Sequence, residues 1–134
     1  MNNVLIDIDW VPDNFAASLS DESIACIASG ETLEDVERNI LDAISFHLEG
    51  MRADGLDIPD YLQGEWQPVF RLSTRAQLKY LNNYISRKAL ARETGIAEQQ
   101  LSHYANGQRV PRPATQRRIT AGIRSLVNRL SVIL

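Results

Sequence analysis

Arg87 to Pro111 reads RKALARETGIAEQQLSHYANGQRVP, and this stretch decides the fold of the second half of the chain. Gly95 suits a tight turn with positive φ, because glycine has no Cβ to clash there. The small side chain of Ala91 allows two helices to cross closely, and Ile96 and Leu101 are spaced to fill the core between them. The pattern predicts two short helices that meet at a steep angle.

The same stretch resembles the Cro/C1-type (XRE-type) helix-turn-helix, whose run is LA-x-x-x-G-[IV]-x-x-x-x-[IL]-S-x-x-x-x-G-x-R-x-P. The matching positions are Leu90, Ala91, Gly95, Ile96, Leu101, Ser102, Gly107, Arg109 and Pro111. The chain departs from the family at Ala97, where a capping Ser or Thr is usual. It departs again at Tyr104-Ala105, where an acidic residue is common.

The resemblance implies that the second helix of the motif lies in the major groove of DNA. Its base-reading residues would be Glu98, Gln99, Gln100 and His103. Glutamine suits the donor and acceptor pair of adenine, and glutamate accepts from cytosine N4. The phosphate contacts, which set register without reading sequence, would be Arg87, Lys88, Gln108 and Arg109. The alternative for these polar residues is a solvated helix face.

Pro113 opens a long last helix with an apolar stripe, part of which closes the core of its own domain. We predict a homodimer contact through the rest, formed by Ile123, Leu126, Val127 and Leu130. A dimer matches a two-fold operator, and a higher oligomer is left open. The alternative is that the stripe packs against the first half of the chain.

The first half predicts a small sheet covered by one helix. Alternation indicates strands over residues 4–10 and 15–19, a third short strand runs from Ser23 to Ala28, and short connections favour an antiparallel meander. Thr32 resembles the start of a capping box and opens a helix that ends at Gly55. A fourth strand, 65–72, contains Pro68 and belongs at a sheet edge. The predicted fold is therefore α+β, with domains at 1–72 and 73–134.

Charge divides the chain more sharply than its net of −3 indicates. Residues 1–65 hold fifteen carboxylates and two arginines, a net of −13, whereas residues 66–134 hold twelve Lys/Arg and two glutamates, a net of +10. Such asymmetry concerns partners rather than fold. The acidic half would attract a cationic partner and the basic half a polyanion, unless the two halves simply neutralise each other.

The whole chain resembles HicB-type antitoxins, in which a partial RNase H-like β-β-β-α-β domain precedes a DNA-binding domain. The resemblance rests on the helix entry Gly30-Glu-Thr-Leu-Glu-Asp35, the amphipathic helix and the exit Gly55-Leu-Asp-Ile-Pro59. The Pro-Asp-Leu-Pro-Gly-Cys-like turn of the family is absent, since 19–26 reads LSDESIAC. The resemblance implies an antitoxin that neutralises a small basic HicA-type mRNA-cleaving toxin and represses its own operon. Candidate toxin contacts are Asp7, Asp9, Glu34, Asp35 and Glu37.

No catalytic arrangement is evident, so we expect a non-enzyme without cofactor or metal. Asp7 and Asp9 could begin a metal site of a nuclease, but exposed acids on a strand are commoner. His47 lies on the apolar stripe of the helix and is predicted to belong to the core. A single cysteine, Cys26, excludes an internal disulfide, and the expected compartment is the cytoplasm without membrane association. The alternative function is a ligand-responsive or plain dimeric repressor without a toxin partner.

Overall fold

A computed structural model describes residues 1–21 and 23–134, which form two compact units, Met1–Ser73 and Thr74–Leu134. Over its described residues, the first unit contains four strands, one helix and a single 3-10 turn at Asp60–Leu62. The second contains four helices. In chain order the elements are β1 (Asn2–Val11), β2 (Asn14–Leu19), β3 (Ile27–Gly30), α1 (Leu33–Ala53), β4 (Trp66–Leu72), α2 (Thr74–Leu81), α3 (Arg87–Thr94), α4 (Glu98–Ala105) and α5 (Pro113–Ser131).

The sheet has the strand order β3-β2-β1-β4 and is mixed. The first three strands form the predicted antiparallel meander, with Ile6 opposite Leu19 and Phe15 opposite Gly30. The sheet is not purely antiparallel as predicted, because its fourth strand, β4, pairs with β1 in parallel. A helix between β3 and β4 carries the chain back across the sheet, as a parallel pairing requires. Pro68 lies on this edge strand, as predicted, since proline within a sheet is confined mainly to edges.

The core of the first unit lies between one face of the sheet and α1. Val4, Ile6 and Ile8 alternate inward along β1 and are at most 1% exposed. The helix supplies a matching line at i, i+4 spacing, formed by Val36, Ile40, Ile44 and Leu48. Burying side chains of this size stabilises the fold by roughly 1.5–3 kcal/mol each.

Two predictions for the first unit are wrong in detail. The third strand begins at Ile27, so Ile24 and Cys26 are buried but precede it, and the predicted strand from Ser23 was set too early. The ladder begins only where β2 offers partners, at Ser18 opposite Ile27. His47 is exposed rather than in the core, because it lies about 100° around α1 from the neighbouring buried Leu48.

Helix α1 begins and ends where its capping residues predict. The Thr32 side chain accepts a hydrogen bond from the Asp35 N–H (3.1 Å), and the Arg38 guanidinium followed by Thr32 lowers the pKa of Asp35 below its usual range. Gly30 allows the strand to pass directly beneath the helix, since a Cβ there would lie 2.5 Å from the Val36 nitrogen. β3 and the start of α1 are therefore in close contact.

The second unit has a separate core, built from every one of its helices. Its buried members are Leu78, Leu90, Ile96, Leu101, Tyr104, Ala105 and Ile119. Ile96 comes from the turn between α3 and α4, as the motif predicts. Gly122 permits close packing of α5 on α3, because a Cβ at this position would lie 2.5 Å from Thr94 Cγ2.

Candidate nucleic-acid interface

The turn between α3 and α4 is fixed at both ends by local hydrogen bonds. The Ser86 hydroxyl accepts from the Ala89 N–H (3.1 Å) and caps α3, and Gly95 ends it in the left-handed region with φ 71°. Buried Thr94 donates to the Leu90 carbonyl (2.9 Å) and accepts from the Ile96 N–H (3.2 Å). The angle between the two helices is therefore set by the backbone of the turn.

Arg118 of α5 holds the same turn from the other side. Its Nη2 donates to the carbonyls of Thr94 (3.2 Å) and Gly95 (3.1 Å), which α3 leaves unpaired at its C-terminus. A cation at a helix C-terminus also interacts favourably with the helix dipole. This arginine is therefore a structural residue.

Helix α4 exposes two of the four predicted base-reading residues to solvent. Glu98 and Gln99 are exposed, and His103 is half-buried on the same side. Gln100 lies at the flank, where its Nε2 donates to the Tyr104 hydroxyl (2.9 Å). Ser102 was not among the predicted residues, although it is half-buried on this helix and lies at i+4 from Glu98 and i+3 from Gln99. That spacing was the available signal, since such residues share a helix face.

His103 lies at the edge of this exposed face of α4. Its Nδ1 is buried and has no hydrogen-bond partner within the described part of the chain. Its carbonyl accepts from the N–H groups of Gln108 (2.9 Å) and Arg109 (3.3 Å). The loop after α4 therefore folds back on the end of that helix.

The predicted phosphate contacts lie at two places beside α4. Lys88, in the first turn of α3, is exposed, and Arg87 is half-buried, which lowers the pKa of its guanidinium. Gln108 and Arg109 are both exposed in the loop after α4. The first turn of α3 and the loop after α4 thus supply the cationic and amide groups that are predicted to contact phosphates.

Comparison with known proteins supports this part of the chain. Residues 76–121 match a helix-turn-helix family model. The second unit is a helix-turn-helix DNA-binding domain. This match supports DNA binding by the second unit, and the fold of the chain is α+β.

One curated relative is an uncharacterized 14.9 kDa protein from the rep-hol intergenic region of Haemophilus phage HP1 (strain HP1c1). It is 39% identical to this chain over 54 residues. The chain spans only 40% of the length of that relative, and the match covers 40% of the chain. No solved structure matches the chain.

An apolar groove runs between α2 and α5 in the helix-turn-helix domain. It encloses about 300 Å³ and is lined by Tyr80, Leu81, Tyr84, Ile85, Ile123, Leu126, Val127 and Leu130. Of the predicted dimer residues, Ile123 and Leu126 pack partly against the core, whereas Val127 and Leu130 are more than half exposed. The contribution of α2 to this groove was not evident from the apolar stripe of the last helix.

The candidate toxin contacts of the first unit divide between its two layers. Asp7 and Asp9 lie on the sheet face away from α1, while Glu34, Asp35 and Glu37 belong to the first turns of that helix. Partial burial, with a smaller effect of Glu34, raises the pKa of Glu37. The five carboxylates therefore do not form one surface.

The two sheet carboxylates are already engaged within the unit. Asp7 accepts from Arg71 Nε (3.0 Å) and from the Ser20 hydroxyl (2.6 Å). Asp9 accepts from the Ser73 hydroxyl (2.6 Å) and the Trp10 N–H (2.8 Å). Among residues 1–21 and 23–134, no three His, Cys, Asp or Glu side chains are grouped as a metal site would need. Over the same ranges, no helix is long and apolar enough to span a membrane.

Proposed function

We propose that this chain is an antitoxin that neutralises a small basic HicA-type mRNA-cleaving toxin and represses its own operon. The observation that carries the proposal is the separation of charge between the two units. Residues 1–73 hold fifteen carboxylates and three arginines, a net of −12, whereas residues 74–134 have a net of +9. The positive unit is the helix-turn-helix domain, so the acidic unit is left to bind a partner of opposite charge.

Electrostatics provides the physical reason for a cationic protein partner. A toxin that binds RNA carries positive charge, and an acidic module steers onto such a surface at rates that fall with salt. This proposal assigns no catalysis, cofactor or metal to the chain itself. The acidic unit acts by occupying the toxin surface that RNA would use.

We further propose that the protein binds its operator as a homodimer through the groove between α2 and α5. Two copies related by a two-fold axis would each bury Val127 and Leu130, and operator binding requires their α4 helices to reach successive major grooves about 34–36 Å apart. Leu130→Asp should shift sedimentation from dimer to monomer and weaken operator binding. Leu56→Asp is the matched control, because Leu56 is 57% exposed in the first unit, away from both the groove and the predicted DNA contacts. A dimer that survives Leu130→Asp refutes this interface.

The experiment for the antitoxin proposal uses the adjacent co-transcribed reading frame. Its product is expected to be short and basic, to arrest growth when expressed alone, and to co-purify with this chain. Co-expression should restore growth. Absence of a complex together with absence of rescue refutes the proposal.

A ligand-responsive repressor is the second candidate. It is favoured by a hollow of about 410 Å³ on the open sheet face, lined in part by Asp7, Arg71 and Ile27. This candidate predicts operator binding without a basic protein encoded next door. The same co-purification experiment therefore distinguishes the two functions.

A further inference from the structure

The two ring nitrogens of His103 on α4 have different surroundings. Nδ1 is buried and has no hydrogen-bond partner among the residues that the structure describes. Nε2 also makes no hydrogen bond within those residues, but it is not buried, and the ring as a whole is half-buried. Nε2 is therefore the nitrogen that a ligand can reach.

The burial of Nδ1 decides which nitrogen carries the proton. A neutral imidazole has one N–H donor and one acceptor, and the surroundings of each nitrogen select the tautomer. A proton on Nδ1 would bury an N–H without an acceptor, which proteins tolerate less readily than an unused lone pair. A proton on Nε2 instead directs the N–H to solvent, and the imidazolium form carries a proton there as well. His103 therefore presents a hydrogen-bond donor to its surroundings.

Helix α4 places this donor on the side that carries the exposed amide of Gln99. The two residues are at i and i+4, so they are neighbours on one helix face. The His103 carbonyl accepts from the N–H groups of Gln108 (2.9 Å) and Arg109 (3.3 Å), so the loop of predicted phosphate contacts holds this end of the helix. The second helix of a helix-turn-helix lies in the major groove. A donor at this position therefore meets the edges of bases.

We propose that His103 reads a guanine of the operator by donating from Nε2–H to its N7 and O6 edge. Guanine presents these two acceptors side by side in the major groove, so a single donor suits it. Adenine presents its N7 acceptor beside an N6 donor, which suits the amide of glutamine but finds no acceptor on His103. The inference rests on the proposed operator binding, whose base readout it specifies, and it is independent of the antitoxin function.

The first test compares the sequences that full-length variants select from a randomised duplex library. Wild type should select guanine at the position that His103 reads. His103→Gln, whose amide has both a donor and an acceptor, should switch that position to adenine and keep the others. His103→Ala should lose the preference there and bind the wild-type site about tenfold more weakly. His47→Ala, which replaces the exposed histidine of the first unit, is the matched control and should select the wild-type sequence.

The second test uses base analogues and so does not depend on a variant that folds. In the selected site, 7-deazaguanine removes N7 of the guanine, and 2-aminopurine opposite thymine removes O6. At least one analogue should weaken the Kd of wild type about fivefold. The same analogue should leave the Kd of His103→Ala unchanged, because the donor is already missing. If neither analogue weakens wild type, the guanine contact is refuted.

Nuclear magnetic resonance tests the tautomer itself, because nitrogen-15 shifts distinguish Nε2–H from Nδ1–H in a neutral ring. His103 should show the Nε2–H pattern, and the Nδ1–H pattern overturns the inference. A guanine preference that survives in His103→Ala also overturns it, as does an equal loss on operator and random DNA, which would indicate a phosphate contact. Wild-type chain that selects no sequence refutes the proposed operator binding itself, a different failure from the loss of one base contact.

Discussion

Replacing Gly122 by alanine tests how closely α5 packs against α3. The new Cβ would lie 2.5 Å from Thr94 Cγ2, about 1 Å inside the usual carbon–carbon contact distance. Thr94 cannot turn away freely, because its hydroxyl bonds both Leu90 and Ile96, and its Cα is only 3.3 Å from the new atom. The helix itself must therefore move.

The net effect follows from two opposing contributions. Overpacking a filled core costs about 1–3 kcal/mol. Alanine in place of glycine within a helix returns about 1 kcal/mol. We expect Gly122→Ala to destabilise the helical unit by about 1 kcal/mol, which lowers the Tm of a unit this size by roughly 4–8 °C.

Gly50→Ala is the matched control, because Gly50 is also in a helix but has open space around it. It should stabilise the first unit by about 0.5–1 kcal/mol. Circular dichroism at 222 nm reports the helices, and tryptophan fluorescence reports the first unit, which contains both Trp10 and Trp66. If Gly122→Ala raises the midpoint as Gly50→Ala does, the close packing of α3 and α5 is refuted.

Further predictions concern DNA contacts and titration. Gln99→Ala should cost about 1–3 kcal/mol on the preferred operator and relax base preference, and an equal loss on random DNA would rule out base reading. Arg109→Ala should weaken both DNAs alike and reduce the salt slope by about one, so an unchanged slope argues against a phosphate contact. Because the pKa of Glu37 is raised in the folded protein, its ionised form destabilises the fold at pH values above the pKa of the unfolded state. Glu37→Gln should therefore raise Tm at pH 7, and this gain should vanish below about pH 4. A gain in Tm that does not change with pH would contradict this. Burial raises the pKa of the Cys26 thiol, so a thiol reagent should label it far more slowly in native protein than in urea, and equal rates would contradict its burial.

The helix-turn-helix could be predicted from sequence because each of its defining residues acts locally. Gly95 takes the left-handed conformation that the turn needs, and Ser86 caps the helix that it precedes. Helix α1 was predictable for the same reason, from Thr32 to Gly55. The geometry of this motif is therefore determined by residues within the motif itself.

Features that depend on distant partners could not be predicted in the same way. The direction of β4 is set by pairing across more than sixty residues, and the start of β3 is set by the register of β2. Gln100 satisfied the polar pattern of a reading face, but a tyrosine one turn away takes its amide.

The parallel pairing of β1 with β4 has a consequence for the order in which the chain folds. Asn2 aligns with Trp66 and Ile8 with Leu72, so the sheet closes only after a loop of about sixty residues has been brought together. Such long-range pairing slows folding, whereas helices joined by short turns form quickly. We expect the helical unit, although synthesised last, to reach its native state first in refolding from denaturant. The acidic unit would then be the slow, aggregation-sensitive half of the protein until β4 completes its edge.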